Sequence, residues 1–177
     1  MAATQRRREL PAARRERLSQ VDDPQVVLDA ALRFLESRQR SVDEVRRRLT
    51  TAGYRPELVA GAIERLLGLG VLDDAAFTAA WVESRDRARP RGERALRREL
   101  LLKGVDRGQV DDALAARRPE PGADDDPDVA AARRLLERHA RTLDRIVDPR
   151  DRRQRAYALL ARNGFDLDLA AALSREG

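Results

Sequence analysis

Cysteine is absent from the chain, and His139 is its only histidine. Without cysteine there is no disulfide, no thiol nucleophile and no thiolate ligand, and one histidine alone does not make a zinc site. His139 lies in a polar stretch, residues 137–141, so we expect it to be partly exposed and without a catalytic task. We therefore predict no metal and no cofactor.

Sequence motifs for catalysis are also missing. Gly68 and Gly70 lack the third glycine and the preceding strand of a dinucleotide-binding fingerprint, and no phosphate-binding loop is present. Serine and threonine are sparse, and none lies in a nucleophile-elbow sequence. We expect no catalytic residues and predict that the protein is not an enzyme.

Long apolar runs are absent as well. No stretch approaches the roughly 20 residues needed to cross a bilayer, and residues 1–17 are basic without the apolar core of a signal peptide. We expect a cytoplasmic protein without a membrane contact.

Aromatic residues make up only 3% of the chain, against 42% apolar and 38% charged residues. A core built mainly from leucine, valine and alanine suits helices packed on helices better than a β-sandwich. The net charge is +5, and Lys103 is the only lysine. Arginine favours bidentate contact with phosphate or carboxylate, so the basic balance fits either nucleic acid or an acidic protein partner.

What the chain does contain is a unit that recurs three times. In each copy an arginine-rich amphipathic stretch ends in a glycine followed by a bulky apolar residue: Gly53-Tyr54, Gly104-Val105 and Gly164-Phe165. After the glycine the expected core residues are Val59 and Ile63, Val110 and Leu114, and, one residue earlier in the third copy, Leu169 and Leu173. Repetition at this spacing is typical of helical arrays, whose units stack to bury a shared core. The sequence predicts an all-α fold of three tandem three-helix repeats.

An Asp-Pro dipeptide lies at the start of three predicted helices: Asp23-Pro24, Asp126-Pro127 and Asp148-Pro149. Aspartate caps the first exposed amides of a helix, and proline fits its first turn. Ser41 and Glu44 form a second kind of start, the reciprocal capping box. Each glycine of the repeated unit is placed to end a helix in the left-handed conformation.

These signals divide the chain into five segments. Residues 1–23 are predicted to be a disordered basic arm, residues 24–72 repeat 1, and residues 73–117 repeat 2. Residues 118–127 are acidic and rich in proline, which predicts a linker, and residues 128–177 form repeat 3. A flexible linker would let repeat 3 swing.

Positive charge is concentrated between the first two helices of repeat 2 and along the second. The candidate contact residues, for an acidic protein or for phosphates, are Arg85, Arg87, Arg89, Arg91, Arg94, Arg97, Arg98 and Lys103. The spacing of Arg94, Arg97 and Arg98 places them on one helical face. An ordinary solvated helix surface explains any single arginine equally well, and no base-reading pattern stands out.

Repeat 2 contains a distinctive series of residues: Leu72-Asp73-Asp74, Phe77, Trp81-Val82, Ser84-Arg85, Arg89-Pro90-Arg91-Gly92, Leu96, Glu99-Leu100 and Lys103-Gly104-Val105. This series resembles the signature of the RecX family. Repeat 1 is similar to the first repeat of that family through Ser41, Glu44, Leu49, Gly53 and Tyr54, and repeat 3 matches least well.

RecX proteins are bacterial regulators of the RecA recombinase. The resemblance implies an elongated, curved array of repeats that binds the RecA filament on single-stranded DNA. It implies that filament extension, ATP hydrolysis and strand exchange are restrained, which affects DNA repair, recombination and the SOS response. We expect a monomer with at most weak direct contact to DNA. A stand-alone, non-sequence-specific nucleic-acid-binding protein is the alternative, and its affinity would fall steeply as salt rises.

Overall fold

The computed structural model describes residues 11–117 and 126–176, and over these ranges the backbone is helical with no strand. The helices are α1 Pro11–Ser19, α2 Pro24–Leu35, α3 Val42–Ala52, α4 Pro56–Gly68, α5 Asp74–Ala88, α6 Glu93–Leu102, α7 Arg107–Ala115, α8 Pro127–Leu143, α9 Pro149–Arg162 and α10 Leu167–Glu176. The predicted all-α fold is confirmed. No helix in these ranges combines the length and hydropathy that crossing a membrane requires.

The chain divides into two compact units, one up to Asp74 and one from Ala75 onward. Unit 1 contains α1 and repeat 1, which consists of α2, α3 and α4. Unit 2 contains repeat 2, formed by α5 to α7, and repeat 3, formed by α8 to α10. Each repeat has its own cluster of buried apolar side chains, so each three-helix group builds a core locally.

The predicted helix starts are confirmed at all three Asp-Pro pairs. Asp23, Asp126 and Asp148 each accept a hydrogen bond from the backbone amide two residues later, at 2.7 to 2.8 Å. Ser41 and Glu44 form the expected capping box, with Glu44 N–H donating to Ser41 Oγ at 3.1 Å. Local sequence therefore determines where these helices begin.

The repeated glycines have the left-handed backbone that their position predicts. The φ angle is +111° at Gly53, +76° at Gly104 and +83° at Gly164. The leucine one turn earlier is buried in every copy, and so is the apolar residue that follows the glycine. The turn thus drives two apolar anchors into each core.

Repeat 3 keeps the same register after its glycine as the other repeats, contrary to the prediction of a copy shortened by one residue. Ala170 is fully buried at the position that Val59 and Val110 occupy in repeats 1 and 2. Leu173 is buried as expected, while Leu169 is only partly buried. The prediction was wrong because it assigned this core position to the nearest large apolar residue, Leu169, whereas the buried residue is Ala170.

Residues 11–19 form helix α1 instead of continuing a disordered arm, so the prediction for residues 1–23 was wrong in this part. Leu18 of α1 is buried in the core of repeat 1, and the backbone of Arg15 lies against Gly53. One leucine among many arginines gives no periodic signal, which is why the pattern missed this helix. Residues 1–10 of the predicted arm and residues 118–125 of the predicted linker lie outside the described residues.

Within unit 2, repeats 2 and 3 meet through a close backbone contact. The N–H of Gly92, before α6, donates to the carbonyl of Asn163 at 3.0 Å. A Cβ atom built on Gly92 would lie 2.4 Å from the backbone of Gly164, and one on Gly164 would lie 2.4 Å from the Cβ of Ala95. Both positions therefore require glycine, and repeat 3 is held directly against repeat 2.

Unit 1 ends in a half-buried carboxylate. Asp74, the first residue of α5, accepts a hydrogen bond at 2.9 Å from the N–H of Val42, the first residue of α3. Burial raises the pKa of Asp74 above its usual range, and the nearby carboxylates of Asp43 and Asp73 act in the same direction. The hydrogen bond from Val42 partly offsets this effect.

We predict that Gly164→Ala lowers the free energy of unfolding of unit 2 by about 2 kcal/mol or more, since the new Cβ meets backbone and φ is positive. Gly61→Ala is the matched control: Gly61 lies inside α4 with open space around it, and the change should stabilise by about 0.5–1 kcal/mol. Urea unfolding followed by circular dichroism measures both. Equal effects of the two changes would contradict the tight glycine contact.

We also predict a pH-dependent effect of Asp74→Asn. The native pKa of Asp74 is raised, so the folded state binds a proton that the unfolded chain has already lost. The stability of the wild type therefore falls as pH rises from about 3.9, the ordinary Asp value, through the raised pKa. Asparagine keeps an acceptor for Val42 without the charge, so the variant should gain stability relative to the wild type as pH rises. Parallel pH profiles in urea unfolding would refute this.

Candidate partner-binding surface

The predicted contact residues of repeat 2 lie in two settings, one half-buried and one exposed. Arg85, Arg91 and Lys103 converge on Trp81 and Glu99, and we call these five residues the Trp81 cluster. The others lie at the end of α5, in the turn that follows it and along α6: Arg87, Arg89, Arg94, Arg97 and Arg98.

Glu99 is the centre of the Trp81 cluster. Its Oε2 accepts hydrogen bonds from Trp81 Nε1 at 3.0 Å and from Arg85 Nε at 2.7 Å. Arg91 Nε lies 3.5 Å from the other carboxylate oxygen. One carboxylate of α6 therefore holds three side chains in place: Trp81 and Arg85 of α5, and Arg91 of the turn between the two helices.

Two cations pack against the Trp81 ring. The guanidinium carbon of Arg85 and the Nζ of Lys103 each lie 4.2 Å from the ring centroid. Cation–π contacts of this kind contribute about 0.5–1 kcal/mol at exposed sites and about 2 kcal/mol when desolvated. Arg85 is 21% exposed, so its charge is largely committed to the cluster.

Most of the basic stripe on α6 is already paired. Arg97 Nη2 donates to Glu93 at 2.9 Å and its Nη1 to Asp111, and these hydrogen bonds raise the pKa of Arg97. Arg94 pairs with Asp166 of repeat 3 at 2.6 Å. Arg98 is exposed and forms no ion pair with the residues that the structure describes. The stripe thus carries less free charge than its sequence indicates.

Apolar side chains lie beside Arg98 on the same helix. Leu101 is 39% exposed and Leu102 is 70% exposed. They follow Arg98 by three and four residues, a spacing that puts all three on one face of α6. An arginine next to exposed leucines is typical of a protein-contact patch more than of a phosphate-binding strip.

The C-terminal end of α5 contacts repeat 3. Arg87 pairs with Glu83 one turn earlier, and both side chains are mostly exposed. Arg89 is exposed and has no ion-pair partner within residues 11–117 and 126–176. The carbonyls of Arg87 and Ala88 accept hydrogen bonds from Arg138 of α8. Repeat 3 therefore caps the end of α5.

Arg117 is the most deeply buried arginine that the structure describes, and sequence analysis did not single it out. Its side chain is 3% exposed and pairs with Asp86 of α5 and Asp128 of α8. Burial, partly offset by Arg117 and by the Glu93 N–H, raises the pKa of Asp128. This network joins repeats 2 and 3. Its members are far apart along the chain, so no local sequence pattern predicts their pairing.

No group of histidine, aspartate and glutamate side chains in the described ranges is arranged to hold a metal ion. His139 is exposed, and its Nδ1 lies 3.0 Å from the carbonyl of Leu135 in its own helix. The chemistry that the surface offers is therefore charge pairing and apolar contact.

Comparison with known proteins identifies the repeats. Models of the first, second and third three-helix domains of RecX match residues 28–66, 73–114 and 126–172. Regulatory protein RecX of Mycolicibacterium vanbaalenii is 34% identical over 145 residues, covering 78% of this chain and 75% of that protein. The Mycobacterium avium protein of the same name is 35% identical over 139 residues, covering 78% and 77%.

Solved structures show the same fold. The crystal structure of RecX from Lactobacillus salivarius superimposes with a TM-score of 0.68 at 21% identity, over 88% of this chain and 96% of that one. A second crystal structure, of regulatory protein RecX, gives a TM-score of 0.71 at 21% identity, over 96% of this chain and 79% of that one.

We predict that Arg117→Met weakens unit 2 by about 3–5 kcal/mol, because two partly buried carboxylates lose their partner. The control, Arg87→Met, removes an exposed pair on α5 and should change stability little. Urea unfolding measured by the fluorescence of Trp81, the only tryptophan, follows unit 2 selectively. Similar midpoints for both variants would show that the Arg117 network does not hold the repeats together.

Proposed function

The chain belongs to the RecX family, and on that premise we propose that it binds the RecA filament on single-stranded DNA. Bound there, it restrains filament extension, ATP hydrolysis and strand exchange, and so affects DNA repair, recombination and the SOS response. The observation that carries the proposal is the match of all three repeats to the RecX domains, which are found in curated proteins named regulatory. It acts in the cytoplasm, as a monomer, by binding and not by catalysis.

The exposed face of α6 is the contact surface that we propose. Arg98 provides uncommitted charge, and Leu101 and Leu102 provide apolar area beside it. Arg87 and Arg94 are 74% and 62% exposed, and their ion pairs are worth little in water, so they can exchange partners at small cost. The Trp81 cluster holds α5 and α6 in the geometry that presents this face.

The alternative function, non-specific nucleic-acid binding without RecA, has one observation in its favour. Helix α9 carries four exposed arginines without ion-pair partners in the described part of the chain: Arg150, Arg153, Arg155 and Arg162. Such side chains neutralise phosphates regardless of base sequence. A direct DNA contact in addition to RecA binding would use this helix.

We predict that the wild type inhibits RecA-driven ATP hydrolysis on single-stranded DNA at stoichiometric or lower amounts. Arg98→Glu should raise the half-inhibitory concentration about tenfold, since a reversed charge at the patch centre costs about 1.4 kcal/mol or more. Arg107→Glu, an equal charge change on exposed α7, is the control and should inhibit normally. The helical circular-dichroism signal should be the same for all three.

Absence of inhibition by the wild type would refute the proposed function. Tight, strongly salt-dependent DNA binding without RecA would favour the alternative instead. Equal inhibition by Arg98→Glu and the wild type would leave RecA regulation standing and remove the α6 face as the contact.

A further inference from the structure

A groove in repeat 3 lies between α8, α9 and α10, and we call it the terminal groove. Its volume is about 330 Å³, and Leu136, Ala140, Leu143, Ala156 and Leu173 provide its apolar lining. Arg152 and Arg153 of α9 lie on one side, and Glu137 and Asp144 of α8 on the other. Arg133 pairs with Glu176 at 3.6 Å at its edge.

In repeats 1 and 2, the carboxylate of an aspartate lies at the start of the second helix, beside the residue whose equivalent at the terminal groove is Arg153. In unit 1 the N–H of Val42, which begins α3, donates to Asp74 at 2.9 Å. In unit 2 the N–H of Glu93, which begins α6, donates to Asp128 at 3.0 Å. Val42 and Glu93 precede their glycines, Gly53 and Gly104, by the same number of residues. The second helix of each of these repeats is thus closed by the acidic start of a following helix.

Within residues 11–117 and 126–176, no carboxylate closes the second helix of repeat 3 in this way. The residue equivalent to Val42 and Glu93 is Arg153, which lies inside α9 because that helix begins earlier, at Pro149. Its guanidinium is exposed and has no ion-pair partner in the described ranges. Where the earlier repeats offer a free amide to a carboxylate, repeat 3 offers arginine side chains.

The depth of the groove comes from two small residues. Ala156 stands where repeats 1 and 2 have the fully buried Val45 and Leu96. Ser174 stands where they have Ile63 and Leu114, which are also buried. Smaller side chains at both positions leave apolar space that the other repeats fill themselves.

We propose that the terminal groove binds the acidic N-terminal turn of an amphipathic helix from a partner protein. The apolar face of that helix covers Ala156 and Leu143, and its carboxylates meet Arg152 and Arg153. The argument is continuity with the closures at Asp74 and Asp128, in which the carboxylate of an acidic helix start accepts a hydrogen bond from the first residue of the repeat's second helix. On the proposed function, on which the choice of partner rests, the helix belongs to a filament subunit.

The probe is a fluorescein-labelled peptide with the sequence of residues 70–84, which contains the acidic helix start at Asp73 and Asp74. Fluorescence anisotropy with the full chain should show saturable binding. Arg153→Glu should weaken it at least tenfold, whereas Arg150→Glu, on the same helix but outside the groove, should not. The peptide with both aspartates changed to asparagine should bind at least tenfold more weakly than the parent peptide.

A second variant protects the test against misfolding. Ala156→Leu introduces the residue that repeat 2 already has at this position, Leu96, and fills the groove. It should abolish peptide binding while the helical circular-dichroism signal stays unchanged. Arg153→Glu and Ala156→Leu are then compared with Arg107→Glu in sedimentation with RecA filaments on single-stranded DNA. Both should bind more weakly than Arg107→Glu, whose changed residue lies on exposed α7, outside repeat 3.

The two proposals fail separately. Peptide binding that Arg153→Glu weakens, without any binding of the wild type to RecA filaments, supports the groove and removes the filament as partner. No peptide binding up to about 1 mM, or equal binding by Arg153→Glu and Arg150→Glu, overturns the groove proposal whatever RecA does. Concentration-dependent self-association that Arg153→Glu abolishes would show that a second copy occupies the groove and would overturn it too.

Discussion

Every repeat depends on one backbone constraint, a left-handed glycine between its second and third helices. The turn reverses the chain within a few residues and drives the following apolar residue, Tyr54, Val105 or Phe165, into the core. At Gly164 the missing Cβ has a second use, because it lets Ala95 and the Gly92 backbone approach within contact distance. The element that ends a helix locally is therefore also the surface on which repeats 2 and 3 join.

Most arginines of repeat 2 form ion pairs within the protein, and those that are buried or half-buried stabilise its geometry and are not free to bind a partner. Arg85 and Arg91 are fixed by Glu99, Arg117 by Asp86 and Asp128, and Arg97 by Glu93 and Asp111. The Arg117 pairs are buried, and a buried ion pair contributes little net stability but is costly to break, so it specifies geometry. What remains for a partner is a small set of exposed arginines beside leucines, which favours protein contact over bulk attraction of phosphate.

Local structure could be predicted well from the sequence, since its causes are local. The Asp-Pro starts, the Ser41 capping box and the glycine turns each depend on residues within one helical turn. Helix α1 was missed because Leu18, the one buried side chain among residues 12–19, forms no periodic pattern. The partners of the basic residues were missed because Arg94 and Asp166, or Arg117 and Asp86, are far apart along the chain. The sequence placed the arginines on α6 but not their carboxylates.

Repeat 3 shows most clearly how small residues at core positions weaken the apolar pattern of a sequence. Alanine at position 170, alanine at 156 and serine at 174 occupy core positions that valine, leucine and isoleucine occupy elsewhere. Ala170 only thins the core, since it is fully buried, whereas Ala156 and Ser174 line an open groove. The solvent-facing side of a repeat is ordinarily polar. Here the groove between α8, α9 and α10 is apolar at the bottom and charged at the rim. The small residues Ala156 and Ser174 leave this space unfilled, which lowers the packing density of repeat 3 and leaves room for another helix.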